Sequence, residues 1–240
     1  MKPWGLSPSL TPRAQAAGPA YELKFLVEEE TAARVGAWAG ERLEPDPHGD
    51  ASGSYQTTTL YLDTPELDVF HGAPGYQRRK YRLRRYGAGP AIYLERKTKK
   101  GDRVAKRRSV IPEAELGLLA AGAWPDTWDG AWFGQRAGLR RLSPAWRVWY
   151  RRTAWIGPEM RLTMDREVRG VAAGAWAIGT LEESAGAPPA EHRVILELKF
   201  RTALPAAFKE CLVQFGLTPS AVSKYRLCRG SGGGQDPGRA

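Results

Sequence analysis

Apolar and polar residues alternate along most of this chain, with a period of two. Tyr21–Val27 (YELKFLV) alternates charged and apolar positions, and Tyr55–Asp63 (YQTTTLYLD) is rich in Thr and Tyr, so both predict strands. Further strands are predicted over Arg79–Tyr86, Ala91–Thr98, Arg103–Ile111, Ala145–Ile156, Met160–Val168, Ala175–Ile178 and Arg193–Arg201. Gly87-Ala-Gly-Pro90 has the length of a hairpin turn. Helical spacing of Val35, Trp38 and Leu43 predicts a helix over Glu28–Leu43. Pro112 starts a helix over Glu113–Ala121, Pro205–Phe215 forms another that Gly216 ends, and Ser220–Leu227 forms the last. Eight or nine strands joined mostly by short turns give a mainly β (α+β), antiparallel architecture with peripheral helices.

Side chains two apart on a strand share a face. Here one face of nearly every strand carries charge of both signs: Glu22 with Lys24, Lys80 with Arg82 and Arg84, Glu95 with Lys97 and Lys99, Tyr150 with Arg152, Arg161 with Thr163 and Asp165, and Glu197 with Lys199. The other faces carry Leu23 and Phe25, Tyr81 and Leu83, Leu94, Leu162 and Met164, and Leu196, Leu198 and Phe200. For one strand alone, a solvated outer face is the simpler reading. Six strands with the same habit point to a closed barrel, apolar outside under its helices and charged within, which also removes sheet edges.

Composition narrows the choice. In 240 residues, 36 Lys and Arg oppose 26 Asp and Glu, a formal charge of +10. Fourteen of the basic residues and only Glu95 and Asp102 among the acids lie in 78–108, so this segment carries all of the excess. A concentrated cationic element implies an anionic partner: nucleic acid, a phosphate compound or an anionic lipid. Arginine forks suit phosphate oxygens. Carboxylates among the arginines would repel a nucleic-acid backbone, but beside a phosphate they make sense with Mg²⁺ or Mn²⁺ between them. Phosphate-binding glycine loops, zinc spacings and the Gly-x-Ser-x-Gly elbow are all missing from the sequence. His48, His71 and His192 are far apart and read as surface or packing residues. Cys211 and Cys228 read as reduced packing thiols. Trp124, Trp128, Trp132, Trp146, Trp149 and Trp155, and the tyrosines Tyr76, Tyr81, Tyr86 and Tyr93, are expected as packing residues, the tyrosines on the outer strand face. Lys106, Arg107 and Arg108 either line the lumen entrance or are solvated.

The chain has no apolar run of 18 residues and no apolar signal core, so no membrane span and a cytoplasmic location are expected. Arginine in excess over lysine and the lack of Asn hint at a GC-rich bacterial genome. Residues 1–19 and 229–240 are expected as flexible tails around one domain over 20–228.

Tyr21-Glu-Leu-Lys-Phe25, Thr58-Thr-Leu-Tyr-Leu-Asp-Thr64, Arg82-Leu-Arg84, Leu94-Glu-Arg-Lys97, Tyr150-Arg-Arg152, Arg161-Leu-Thr-Met-Asp165, Leu196-Glu-Leu-Lys199 and Ser223-Lys-Tyr225 occur in this order. The series resembles the catalytic VTC domain, the polyphosphate polymerase branch of the triphosphate tunnel (CYTH-like) superfamily, from about Tyr21 to Leu227. The resemblance implies a basic tunnel closed by a C-terminal helix. It also implies transfer of the ATP γ-phosphate onto inorganic polyphosphate, a metal-dependent phosphotransferase using Mn²⁺ or Mg²⁺. It would place Lys24, Arg82, Arg84, Lys97, Arg152 and Arg161 on the reacting phosphates. Lys199 and Lys224 would bind substrate, and Glu197 would hold the metal with Glu22 near it. Tunnel triphosphatases favour Glu-x-Glu-x-Lys near the start, and Ala20 stands where their first Glu would be. Two alternatives stay open: a metal-dependent tripolyphosphatase or nucleoside triphosphatase of the same fold, and a non-catalytic polyanion- or nucleic-acid-binding module. The polymerase reading expects ATP and polyphosphate as partners, and no nucleic acid.

Overall fold

The computed structural model describes residues 17–101, 103–179 and 192–231. Nine strands form in chain order: β1 (Ala17–Val27), β2 (Glu44–Pro45), β3 (Ser54–Asp63), β4 (Arg79–Tyr86), β5 (Ala91–Lys100), β6 (Arg103–Pro112), β7 (Ser143–Gly157), β8 (Met160–Ala172) and β9 (Val194–Phe200). Their order is β2-β7-β3-β4-β5-β6-β1-β9-β8, and β8 returns to β7. Eight strands therefore close on themselves in antiparallel pairs, with the two-residue β2 added outside the ring at β7. Closure leaves no open edge on the barrel.

The helices are α1 (Glu29–Arg42), α2 (Asp68–His71), α3 (Leu116–Ala121), α4 (Ala131–Gly138), α5 (Ala206–Gln214) and α6 (Lys224–Ser231), with a 3₁₀ turn at Glu113–Glu115 before α3. No helix of the described residues is long and apolar enough to cross a membrane.

The apolar core lies outside the strands, under the helices. On one side, Ala32, Val35, Trp38 and Ala39 of α1 recur at helical spacing and pack with Phe208 and Cys211 of α5. They cover Phe25, Leu162, Met164, Leu196 and Leu198, the outward residues of β1, β8 and β9. Each large side chain so buried contributes about 1.5–3 kcal/mol. Val35→Asp would put a charge into this layer and break it. On the other side, Leu83, Leu94 and Ile92 pack with Phe133 of α4 and Leu116 and Leu119 of the α3 segment.

The helix α6 packs across one end of the barrel, against β8 and β7. Tyr225 stacks on Tyr61 with centroids 5.3 Å apart, and its hydroxyl donates to Asp63 at 2.6 Å. Asp63 also accepts the backbone N–H groups of Thr64, Val69 and Phe70, so one buried carboxylate ties α2 and α6 to the end of β3. Gly170 lets α6 approach β8: a Cβ there would sit 2.6 Å from Cys228 Cβ.

Most predicted elements form close to their expected ends. Ala175–Ile178 is no strand; β8 instead continues to Ala172. The last helix starts at Lys224 rather than Ser220, whose N–H instead donates to Lys24 O and ties the chain to β1 ahead of the helix. The elements β2, α2 and α4 were not predicted; each is short or Gly-rich. The first strand runs from Ala17 and the last helix reaches Ser231, within the expected tails, whose remainder (1–16 and 232–240) lies outside the described residues.

Candidate active site

The register sets charged residues opposite one another on the inside of the barrel. Lys24 faces Glu197 and Glu22 faces Lys199. Arg161 also faces Lys199, Arg152 faces Asp165, and Arg82 faces Glu95. Glu95 in turn faces Arg108, and Lys97 faces Lys106. With Lys80, Arg84 and Lys224, eleven basic side chains share this interior with Glu22, Glu95, Asp165, Glu197 and the rim residue Asp46.

One wall is arginine-rich and belongs to β3–β6. Glu95 is fully buried at its centre. Arg82 donates to it through Nε and approaches through a second nitrogen, both at 2.8 Å. Arg108 donates to its other oxygen, Nε at 2.9 Å, with Lys106 3.4 Å from that oxygen and Arg84 3.9 Å from the one Arg82 holds. Burial alone would raise the Glu95 pKa, but Lys106, Arg108, Arg82 and Arg84 hold it well below the usual carboxylate range. Arg84 Nε also donates to Thr59 Oγ1 at 3.2 Å. Burial and Arg108 push the Lys106 ammonium down to about 7, against the pull of Glu95. Tyr86 lies on the same wall and accepts from Arg108 at 3.2 Å. Burial would raise its phenol, yet Arg108 and Arg84 lower it to about 6.

The opposite wall is lysine-rich and belongs to β1, β8, β9 and α6. Lys97 reaches across to donate to Glu22 at 2.6 Å. Lys24 lies 3.3 Å from Glu22 and 3.6 Å from Glu197, and Lys199 bridges the same two carboxylates at 3.6 and 3.0 Å. Lys224 bridges Glu197 at 3.5 Å and Asp165 at 2.5 Å. Arg152 grips Asp165 with both arms, at 2.6 and 2.7 Å. Burial opposes charge on Glu197, but Lys199, Lys224 and Lys24 outweigh it and hold its pKa well below the usual range. Glu22 is lowered likewise, by Lys199, Lys97 and Lys24 against burial and Glu197. The Lys97 ammonium is also pushed well below its ordinary value, which for a lysine favours the neutral form, because burial and Lys24 together exceed the pull of Glu22 and Glu197.

At the end away from α6, Arg161 pairs with Asp46 and donates to Tyr55 at 2.8 Å. Tyr55, Tyr86 and Tyr93 form an edge-to-face chain there. At the α6 end, Lys80 donates to Ser223 at 3.0 Å and Lys24 to Val222 O at 3.4 Å.

Cations outnumber carboxylates on this interior, so it is electropositive and suited to an anion. It contains no His and no Cys among the described residues; both cysteines are buried in the helical layers. The VTC domain family model matches residues 19–231.

The chain belongs to the VTC-domain family. No curated protein matches it significantly. Among solved structures, a Bacillus halodurans protein provisionally assigned as an adenylate cyclase is similar at TM-score 0.55 and 14% identity, covering 86% of this chain and 96% of its own. A Pyrococcus horikoshii protein is similar at TM-score 0.50 and 16% identity, covering 87% and 98%. At such identities the likeness is one of fold. The VTC domain is thus a closed eight-stranded barrel, and family and lumen together give it a phosphoryl-handling function.

All ten sequence-predicted site residues of this VTC domain lie together on the inner wall: Lys24, Arg82, Arg84, Lys97, Arg152, Arg161, Lys199, Lys224, Glu197 and Glu22. Sequence reasoning missed the hub role of Glu95, and left out Lys106 and Arg108, which point inward, while Arg107 points outward over Trp132. Parity would have separated them, since Lys106 and Arg108 share a face and Arg107 does not. Tyr86 and Tyr93 are inside, contrary to expectation, and Tyr86 has the parity of Arg82 and Arg84. Tyr81 is outside as expected, against Phe133. Asp46 had no sequence signal: it sits in a Pro-rich turn and reaches Arg161 only through the β2–β7 pairing.

Proposed function

We propose that this VTC domain is a polyphosphate polymerase, transferring the γ-phosphate of ATP to the end of an inorganic polyphosphate chain within the barrel. The supporting observation is the lumen itself: a fixed arginine wall facing a lysine-and-carboxylate wall, without a nucleophile such as His or Cys. A terminal phosphate oxygen attacks the γ-phosphorus, the bond to the β-phosphate oxygen breaks, and ADP leaves with that electron pair. The acceptor oxygen is already ionised, so no general base is required. Catalysis is then positioning and charge stabilisation.

Arg82, Arg84, Arg152 and Arg161 are always charged and planar, and would hold phosphate oxygens in fixed geometry. Lys24, Lys97, Lys199 and Lys224 are mobile point charges that exchange Glu22, Glu197 and Asp165 for phosphate. No group of three or more metal-ligating side chains occurs among the described residues. Glu22 and Glu197 are nevertheless neighbours, both close to Lys24 and Lys199. Two carboxylates completed by phosphate oxygens suit a hard cation that keeps few protein ligands. Glu197, with Glu22, would hold Mn²⁺ or Mg²⁺. Bound there, the ion would neutralise charge on the phosphates.

The test is product analysis on a denaturing gel after incubation with ATP and Mn²⁺ or Mg²⁺. The wild type is expected to yield polymer, and Glu197→Ala to lose about 10²–10³ in rate, the scale for removing one stabilising group. Full polymer synthesis by Glu197→Ala would overturn the metal assignment. Orthophosphate as the only product of the wild type would make the protein a hydrolase.

A further inference from the structure

The lumen uses only part of the basic segment 78–108. Lys80, Arg82, Arg84, Lys97, Lys106 and Arg108 point inward, and Arg85 pairs with Glu113 on the outer wall. The other seven basic residues have no carboxylate partner among the described residues.

Two of them, Arg96 and Arg107, are directly opposite each other on β5 and β6, on the outer face. Like charges so placed destabilise a sheet. Both guanidiniums lie over the ring of Trp132 on α4, at 6.0 and 4.2 Å from its centroid. The indole is fixed in turn, its N–H donating to Ser109 Oγ at 2.5 Å. Arg136, exposed on the next turn of α4, adds a third charge near Arg107. Arg96 Nε is buried and has no hydrogen-bond acceptor. Two repelling arginines held over one indole, with Arg136 beside them, leave positive charge that an oxyanion would neutralise.

This site joins the lumen. Arg96 and Lys97 are consecutive, one facing out and the other in. Beyond them, Arg79 faces Thr98, and Lys100 faces Arg103 at the β5–β6 turn. Arg79, Lys100 and Arg103 are exposed. Basic side chains thus run from Lys97 inside, over the rim, to Arg107 outside.

We propose that the outer wall of β5, β6 and α4 is a second polyphosphate-binding surface, over which a chain passes between the lumen and Trp132. The identity of the polyanion rests on the polymerase reading; the donor set does not. From Lys97 to Lys100 and back from Arg103 to Arg107 is on the order of 25 Å at about 3.3 Å per residue. Long-chain polyphosphate spans it and tripolyphosphate does not.

The test measures binding of both anions, without ATP or metal, to the full chain and to two double variants, R96Q/R107Q and R79Q/R103Q. Each variant's melting temperature is compared with that of the wild type. Long-chain affinity is expected to fall at least about tenfold with a shallower salt dependence, and tripolyphosphate affinity to stay unchanged. Unchanged long-chain affinity in both variants would overturn the surface, as would a wall that binds single-stranded oligonucleotide but not polyphosphate. A selective loss in a protein that makes no polymer would keep the surface and sink the polymerase. Polymer synthesis with no selective loss would do the reverse.

Discussion

The two walls of the lumen solve the same problem with different side chains. Around Glu95, one fully buried carboxylate is shared by three arginines and Lys106. Around Glu22, Glu197 and Asp165, three carboxylates are shared mainly by lysines, with Arg152 the one arginine in contact among the described residues. Arginine cannot discharge, so the guanidiniums of the first wall keep their charge and geometry whatever binds, while Lys106 and Tyr86 beside them titrate. Lysine can lose its proton when buried, and its ammonium has no fixed plane, so the second wall can trade partners. On the proposed function, the first wall is a mould for phosphate and the second is where partners exchange.

The largest expected difference follows from that contrast. Glu95→Gln leaves buried arginines without a counter-charge and is expected to destabilise the fold by about 3–5 kcal/mol. Glu197→Gln leaves lysines that can discharge, so its cost is expected to be smaller, about 1–2 kcal/mol. At about 2–4 °C per kcal/mol for a chain of this size, thermal melts separate the two. Equal losses would erase the distinction between the walls. The Glu95 contribution has a definite pH window. Its folded pKa is depressed below 4.5, so its stability is present above 4.5 and is lost as pH falls through the folded value.

The next effect is on binding. Lys106 and Tyr86 titrate near 7 and 6, and burial with Lys24 and Arg226 lowers Lys80 to about 8. As pH rises from about 6 to 8, two ammonium groups lose charge and one phenol becomes anionic. Tripolyphosphate affinity is expected to fall about tenfold over that range, with proton uptake on binding visible by calorimetry in two buffers. Lys106→Met should flatten the profile; an unchanged profile would remove Lys106 from the account. Stability runs the other way. The unfolded chain keeps the Lys106 proton up to about 10.5 and the folded chain to about 7, so stability rises with pH between them.

The smallest effect concerns the helix that belongs to the lysine wall. Tyr225→Phe removes one hydrogen bond to Asp63 and is expected to cost about 1 kcal/mol. It should also speed hydrogen exchange in α6 while leaving β4–β6 protected. Uniform loosening would show that α6 is not a separate closure.

Much of this was legible because a strand's period is short and unambiguous. Glu22 with Lys24, and Glu197 with Lys199, revealed their shared face without any knowledge of pairing. The same rule applied to Tyr86, Lys106 and Arg108 would have put them inside, but local aromatic and basic density made them read as packing or solvated groups. Asp46 and Asp63 were hidden for a different reason. Their partners Arg161 and Tyr225 lie 115 and 162 residues away, and no local pattern carries such contacts. The short helices α2 and α4 depend on tertiary packing rather than propensity.

The most direct test of the central claim is phosphorus NMR of the wild-type protein with ATP and Mn²⁺ or Mg²⁺, followed over time. A resonance from internal phosphates that grows as ATP falls and ADP accumulates is the predicted result. Loss of ATP with orthophosphate alone, or no loss of ATP with and without polyphosphate primer, would contradict it.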